Sequence, residues 1–489
     1  MVRDIVLAFT VGSSSGADAF YIAFRIPNFM RRLFAEGAFS QAFIPVLVKT
    51  CEKEGIDSAR DLTDALFWRY GLLLITIVCF GVLVSPILAR VFAPGFSHDP
   101  QLIALTSNLL AITFPYLGFI SLVALSSAVL NSQGHFALPA ATPILLNISL
   151  IGTALWLTPL INTPAYGLAM GVLIAGFLQL AIQVPALSSI KFLPRLRYSA
   201  SHPGVRRVFA LMIPALFGVS VSQINLLLDT VLASFLVTGS VSWLYYADRL
   251  MELPLGIIAI ALSTVMLPFL TKILASGEIK AIHRTQTWAL WVVMVFGLPA
   301  SMALIIFGQF ILTVLFQYGE MRYSDILMSS YALSAYAIGL PAFMMIKVLA
   351  PNYFAHQDTS TPVRVGIIAM TANMVLNLFL VWIFDHVGLA LATALAGWLN
   401  AALLLRGLCA RGWYAINQIP FLSILKILAA TAVMAQIYWL LPDIGSFQEF
   451  MWLERSIWLV IILLASLASY FATLWIFGFR YSSFLIPSR

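Results

Sequence analysis

Long apolar runs alternate with short polar breaks along almost the whole chain. A helix needs about 20 apolar residues to cross the hydrocarbon core of a bilayer, and the chain contains fourteen such runs, the first of them incomplete. The runs cover approximately residues 1–11, 18–48, 66–92, 103–131, 136–159, 165–189, 206–237, 241–275, 286–316, 325–354, 362–384, 387–409, 421–441 and 455–478. The pattern predicts an all-α integral membrane protein of about fourteen transmembrane helices.

Lysine and arginine are concentrated in even-numbered connections between these runs. The connections after runs 2, 6, 8, 12 and 14 are basic, whereas residues 12–18 and 238–242 contain no lysine or arginine. Arg90, Arg322 and Arg455 are the exceptions. Because cytoplasmic loops carry the excess of lysine and arginine, we expect the even-numbered connections and both termini to be cytoplasmic.

The apolar pattern also repeats. Residues 4–27 and 229–252 share a D-x-VLA opening, a glycine, an aromatic pair and an arginine in the same order, so that Arg25 corresponds to Arg249 at a spacing of 224 residues. Each half holds an even number of runs, which predicts parallel repeats related by an axis along the membrane normal. We expect a lobe of helices 1–6 over 1–190, a lobe of helices 7–12 over 203–410, and two additional helices over 420–489.

The repeat makes a prediction about the first helix. Residues 206–228 precede Asp229 in the second repeat, but only three residues precede Asp4 in the first. Since a membrane-spanning helix needs about 20 residues, we expect the first helix to be truncated in this sequence.

Composition changes the picture little, but it excludes other classes of protein. Charged residues make up 10% of the chain and mean hydropathy is +0.96, whereas soluble proteins carry about 25% charged residues. The net charge of +7 fits cytoplasmic loops that face anionic lipid better than a nucleic-acid partner. The chain has no metalloprotease, nucleophile-elbow or Walker motif, so we expect a transporter and no enzyme.

Ionisable residues inside the predicted spans are the candidates for function, because a charge at the bilayer centre costs at least about 2.5 kcal/mol. They are Arg3, Asp4, Asp18, Arg25, Arg31, Arg32, Glu36, Asp229, Asp248, Arg249, Glu252 and Lys347. Arg32 and Glu36 are four residues apart and can neutralise each other. Asp248 and Glu252 can hold Arg249 until a phosphate competes for its guanidinium group. The alternative is that these pairs are salt bridges that only tie helices together.

A second candidate site is built from oxygen donors. Asp229 has no basic neighbour in sequence, and Asn373, Asn377 and Thr393 lie on two later helices. Oxygen ligands of this kind suit a hard cation. A protonated, hydrogen-bonded Asp229 is the alternative.

Three long motifs resemble those of a known family. The segments are GADAFYIAFRIPNFMRRLFAEGAFSQAFIPVL (16–47), GVSVSQINLLLDTVLASFLVTGSVSWLYYADRLMELPLG (218–256) and TPVRVGI (361–367). They resemble the signature of the lipid II flippase family MurJ, also called MviN, within the multidrug/oligosaccharidyl-lipid/polysaccharide exporter superfamily, and the resemblance covers essentially the whole chain.

This resemblance implies a flippase of the bacterial inner membrane. It would move the undecaprenyl-diphosphate-linked peptidoglycan precursor, lipid II, to the outer leaflet by alternating access, for cell-wall synthesis. The last two helices would form a groove for the lipid tail. Partners beyond this substrate would be cell-wall synthesis or division proteins, with no nucleic acid. The nearest alternatives are an exporter of another lipid-linked oligosaccharide or of drugs, and a non-transporting membrane scaffold.

The family's functional residues can be placed on this sequence. Its cavity arginines fall on Arg3, Arg31 and Arg249, and its gate and functional polar residues on Asp4, Asp18, Asn28, Glu36 and Ser242. A sodium site would use Asp229, Asn373, Asn377 and Thr393 with the carbonyl of Leu389. A carboxylate expected in that site is Asn377 here, which weakens the case for sodium. No other cofactor is expected.

Overall fold

The computed structural model describes residues 1–31, 39–195, 202–415, 421–440, 447 and 449–479, and all regular structure there is helical. The helices are α1 (Val2–Val11), α2 (Ser15–Arg31), α3 (Ser40–Glu54), α4 (Ile56–Leu83), α5 (Ser85–Phe92), α6 (Pro100–Thr113), α7 (Tyr116–Ser132), α8 (Ala137–Gly152), α9 (Pro164–Ala181), α10 (Gln183–Ser189), α11 (Pro203–Ala233), α12 (Ser240–Pro254), α13 (Ala261–Ser276), α14 (Ile279–Phe316), α15 (Tyr323–Ala355), α16 (Ser360–Ala410), α17 (Phe421–Ala435) and α18 (Trp452–Ile476). The predicted all-helical membrane fold is confirmed.

The number of membrane-spanning helices is confirmed only in part. Within the described ranges, ten helices are long and apolar enough to cross a membrane, so the total of fourteen stays a prediction. One of the ten, α16, is 51 residues long and is broken at Asp385, where φ is 49° and ψ is −132°. The break falls between the predicted runs 362–384 and 387–409. A Cβ at Gly388 would collide with the carbonyl oxygen of Leu380, so this sharp turn needs a glycine there.

Some helices extend beyond the apolar runs. The run 66–92 is divided between α4 and α5, and α4 begins at Ile56, with Asp57 in its first turn. An acidic residue there is favourable because the N-terminus of a helix carries partial positive charge. An apolar run marks contact with lipid and core, whereas the backbone hydrogen bonds of a helix continue into polar sequence.

The chain forms two compact units, Met1–Ser242 and Trp243–Arg489. In the first unit, α3, α4, α7 and α11 share an apolar core in which the ring of Phe39 stacks on that of Tyr70 at a centroid distance of 4.8 Å. The first unit contains α11, which the sequence assigns to the second lobe. The lobe boundaries at 190 and 203 stay predictions.

In the second unit, the last two helices pack on α14. Ile427 and Met434 of α17 and Leu474 of α18 are buried with Val295 of α14. The hydroxyl of Tyr470 donates to the carbonyl oxygen of Val295 at 2.6 Å. The helices that lie outside the repeat are thus fixed to the rest of this unit by a shared core.

Candidate functional site

An arginine and an aspartate lie side by side on α1. The Nε and Nη2 atoms of Arg3 donate to Oδ1 of Asp4 at 3.1 and 2.6 Å. The Asp4 carboxylate is buried and the Arg3 side chain is 17% exposed. The pair therefore presents part of its guanidinium group to open space while the acid stays inside.

The second arginine of this unit lies at the end of α2. The Nε atom of Arg31 donates to Oδ1 of Asn28 at 3.0 Å, one turn after Pro27 inside the same helix. The Asn28 amide orients the guanidinium group of Arg31 without adding a negative charge beside it. Arg32 and Glu36, the predicted i, i+4 pair, lie outside the described residues.

Arg3 and Arg31 line one cavity of about 630 Å³ in the first unit. Its walls come from α1, α2, α7, α8 and α9. Ligand pockets in proteins usually measure about 300–1,000 Å³. The structure thus brings two of the three predicted cavity arginines together on a space large enough for a ligand. Arg25 is half-buried on α2 and is not among the residues that line it.

The cavity is also lined by amides that the charge pattern of the sequence did not single out. Asn131 of α7, Asn147 of α8 and Gln179 of α9 line the same cavity as the arginines. A signal was available, because amides within apolar helices are rare and usually face a helix bundle or a water-filled space. Neutral amides lack the charge that makes arginine and aspartate stand out in an apolar span.

Asp18 joins the beginnings of two helices. Its Oδ2 accepts from the backbone N–H of Gly239 at 2.6 Å, and its Oδ1 accepts from the N–H and the hydroxyl of Ser242 at 2.9 and 2.6 Å. Asp18 is 2% exposed and Ser242 is fully buried. A carboxylate placed on the first N–H groups of α12 is stabilised by that helix terminus.

In the second unit, Arg249 is held by its own helix. Its Nη1 donates to Oε2 of Glu252 at 2.6 Å, and its guanidinium carbon lies 5.0 Å from the centroid of the Tyr245 ring. The carboxylate compensates the positive charge of Arg249. Asp248 is half-buried beside it on the same helix.

The predicted cation ligands of the second unit form a connected set. Asn377 donates to Oδ1 of Asn373 at 2.6 Å, Asn373 donates to the hydroxyl of Thr393 at 3.2 Å, and that hydroxyl donates to the carbonyl of Leu389 at 3.0 Å. Asp229 belongs to α11 in the first unit. Within the part of the chain that the structure describes, no group of three or more His, Cys, Asp or Glu side chains could hold a metal ion.

Comparison with known proteins agrees with the resemblance in sequence. A family model described as lipid II flippase MurJ matches residues 7–462. A probable lipid II flippase MurJ of Vibrio cholerae is 44% identical over 98% of this chain and 93% of its own length.

Solved structures agree as well. A structure titled lipid II flippase MurJ, inward closed conformation, superposes with a TM-score of 0.80 at 29% identity over 97% of this chain and 95% of its own. An inward-facing multidrug resistance MATE family transporter of the MOP superfamily gives 0.71 at 10% identity over 84% and 93%. The second likeness concerns the fold alone.

Proposed function

The chain belongs to the lipid II flippase family MurJ, and from this premise we propose that it moves lipid II across the inner membrane with Arg3 and Arg31 as ligands of the diphosphate. It is a multi-pass inner-membrane transporter of this family. The residues that hold the substrate, and the order in which they act, are our proposal.

The observation that carries the proposal is the pair of arginines on one cavity within membrane-spanning helices. A guanidinium group has five N–H donors and no acceptor, so it suits an anion with several oxygens. Two such groups on one wall match the two phosphates of a diphosphate. Binding there repays part of the cost of keeping cations inside a membrane.

The partners of the two arginines suggest how the diphosphate enters. Asp4 holds Nε and Nη2 of Arg3, and Asn28 holds Nε of Arg31. A phosphate oxygen can replace the amide of Asn28 at little cost, since it is the stronger acceptor for a charged donor. Arg3 would keep Asp4 as an orienting partner and offer its remaining donors. In this scheme Arg31 binds the diphosphate first, and Arg3 binds it second.

We further propose that the hydrogen bonds of Asp18 to Gly239 and Ser242 close one side of the translocation path. Asp18 lies in the connection 12–18, and Gly239 and Ser242 lie in the connection 238–242. Neither connection contains lysine or arginine, which favours the periplasmic side for both and, with it, cytoplasmic termini. Substrate can shift such a closure only by its difference in affinity for the two states. Arg249 would contribute to one of these states after Glu252 releases it.

A sodium ion and protein partners stay predictions. Asn373, Thr393 and the Leu389 carbonyl supply hard oxygen donors, which fits sodium, and thermal stabilisation by Na⁺ but not by K⁺ would support its binding. Proteins of cell-wall synthesis or division are the expected partners, on family grounds.

The direct test is leaflet exchange in proteoliposomes. Purified protein is reconstituted with labelled lipid II, and a membrane-impermeant reagent reports how much label reaches the outer leaflet. We expect exchange with the wild-type chain and none with Arg31→Ala. Equal exchange in protein-free liposomes and in both protein samples would overturn the proposal, as would a fully active Arg31→Ala variant.

A further inference from the structure

The cavity of the first unit is also lined by neutral polar groups that the proposed diphosphate site does not use. These groups are Asn131, Asn147, Gln179, Ser127 and Thr142, which we call the amide wall. They come from α7, α8 and α9, whereas the arginines come from α1 and α2. The cavity lining therefore combines a cationic part, the arginine wall of Arg3 and Arg31, with a neutral hydrogen-bonding part, the amide wall.

The amide wall retains hydrogen-bonding capacity. The side chains of Asn131 and Asn147 make no hydrogen bond to any residue in the described ranges, and Asn147 is exposed on the wall. Each amide offers a carbonyl acceptor and two N–H donors. Groups of this kind inside a predicted membrane span are costly unless water or a ligand completes their hydrogen bonds.

Gln179 provides a more deeply buried example. It is 2% exposed, and its Nε2 donates to the carbonyl oxygen of Thr142 at 3.2 Å. Its Oε1 is buried and makes no hydrogen bond of good geometry with a described residue, although the Tyr116 side chain, which lines the same cavity, lies close enough to interact with Gln179. A buried acceptor without a well-placed donor is destabilising, and a ligand that donates a hydrogen bond would relieve this cost.

Ser127 adds a donor to this wall. Its hydroxyl oxygen accepts from Nε2 of Gln183 at 2.9 Å. Because that oxygen is already an acceptor, the hydroxyl proton can point into the cavity. The wall therefore offers acceptors and donors close together, whereas the arginine wall offers donors alone.

The two walls fit two different parts of one ligand. Hydroxyl and N-acyl groups of a carbohydrate both donate and accept, so they need acceptors that guanidinium groups lack. The lining residues from Phe136 to Asn147 extend over eleven residues of chain. This corresponds to about 16 Å along a helix at 1.5 Å per residue. This length leaves room for sugar units beside a diphosphate.

We propose that the amide wall binds the carbohydrate part of the substrate and makes the flippase select sugar-bearing diphosphates over bare ones. The inference rests on the proposed function, because it takes the arginine wall as the diphosphate site. Asn131, Asn147 and Gln179 are specificity-determining residues in this view. Their amides would be satisfied by the ligand in the loaded state and by water in the empty state.

The test compares two probes, lipid II and undecaprenyl diphosphate without sugar, which share the diphosphate and the tail. Binding to purified full-length protein is measured by competition against labelled lipid II. We expect wild type to prefer lipid II, and the variant Asn131→Leu/Asn147→Leu to lose about 5–100-fold of affinity for it, as two neutral hydrogen bonds are worth, while it binds the bare diphosphate as wild type does. Retained binding of the bare probe also shows that the variant is folded.

Asn108→Leu is the matched control, because Asn108 lies on α6 of the same unit and donates to the hydroxyl of Tyr166 at 3.2 Å, away from the cavity. It should keep the full preference. An unchanged preference in the double variant, or equal binding of both probes by wild type, overturns the carbohydrate site while the arginine site stands. Failure of wild type to bind either probe overturns the proposed function and the inference together. Loss of both probes by Arg31→Ala supports the division of the cavity into two walls.

Discussion

Helices α2 and α12 occupy equivalent places in the two repeats, yet they treat their arginines differently. At a spacing of 224 residues, Arg25 corresponds to Arg249 and Asn28 to Glu252. In α2, Asn28 accepts from Arg31, which follows it by three residues; in α12, Glu252 accepts from Arg249, which precedes it by three. One position of the repeat thus supplies the arginine's partner in both helices, as a neutral amide in the first and as a carboxylate in the second.

This difference separates two uses of an intramembrane arginine. A carboxylate lies 2.6 Å from Arg249 and adds a negative charge beside it, whereas the amide of Asn28 orients Arg31 without adding one. Repeat symmetry preserved the helices and the position of the partner, while a single side chain changed the electrostatics. Because Arg3 and Arg31 also line one cavity, we expect the first unit to bind the diphosphate more strongly than α12 does.

The largest effect should come from Arg31. Replacement by alanine removes a charged donor from the cavity, and we expect at least about a tenfold loss of lipid II affinity, since hydrogen bonds to charged groups are worth about 1.5–3 kcal/mol. Arg31→Lys should lose much of it as well, because an ammonium group cannot grip two oxygens in a planar fork. Binding of labelled lipid II to purified protein measures both.

Arg90→Ala is the control for this comparison, because Arg90 is exposed at the end of α5 in the same unit and does not line the cavity. It should bind lipid II as wild type does. Wild-type affinity in Arg31→Lys would show that charge alone suffices and would remove the argument from guanidinium geometry.

Exchanging the partner residues tests the comparison itself. Asn28→Glu gives α2 a carboxylate at the position of Glu252 in α12, which would compete with a phosphate for Arg31, and we expect about a tenfold weaker affinity for undecaprenyl diphosphate. Glu252→Asn gives α12 the arrangement of α2 and should leave that affinity unchanged or increase it. Competition binding at low ionic strength measures the effect of each exchange. Equal losses in the two variants would mean that both arginines bind the anion in the same way.

The sequence was sufficient for the helices and for the charged residues, but not for the contacts between them. The breaks at Asp385 and between α7 and α8 agree with the predicted runs because apolar length reports the membrane directly. Asp18 and Ser242 were both selected, yet their hydrogen bonds depend on how α2 and α12 meet, which no local pattern contains. A spacing of 224 residues between them was the available hint.

The candidate site was predicted in part for a similar physical reason. Charges inside a membrane are costly enough to stand out in a sequence, so Arg3 and Arg31 were found. Asn131, Asn147 and Gln179 carry no charge and resemble ordinary polar residues until the fold shows that they line one space. Glu252 was anticipated as the partner of Arg249 because the two are close in sequence. The change from an amide in α2 to a carboxylate in α12 is seen only when the contacts of the two helices are compared.

A smaller effect is expected where the two helices meet. Asp18→Asn should lower the free energy of unfolding by about 1–3 kcal/mol, because it removes the charge and places an NH₂ group opposite N–H donors. Ser242→Ala should cost less, about 0.5–1.5 kcal/mol, since the backbone N–H of residue 242 still binds Asp18. Thermal unfolding in detergent provides both values. The double variant should cost less than the sum of the two, and strict additivity would contradict a shared contact.

The smallest effect is expected at Asp358, an aspartate that caps a helix locally, unlike Asp18. Hydrogen bonds from the side chain and backbone of Thr361, from Ser360, and the charge of Arg411 lower the pKa of Asp358 to about 2. Because the folded pKa lies below the unfolded value of about 3.9, this group stabilises the fold above that value and the stabilisation is lost as pH falls through about 2. Between pH 5 and 8 it should therefore contribute no change in stability. Asp358→Asn should lower the unfolding temperature slightly at pH 7, by less than Asp18→Asn does. A larger loss at Asp358 would contradict the expectation that the buried contacts of Asp18 stabilise the fold more than this peripheral cap does.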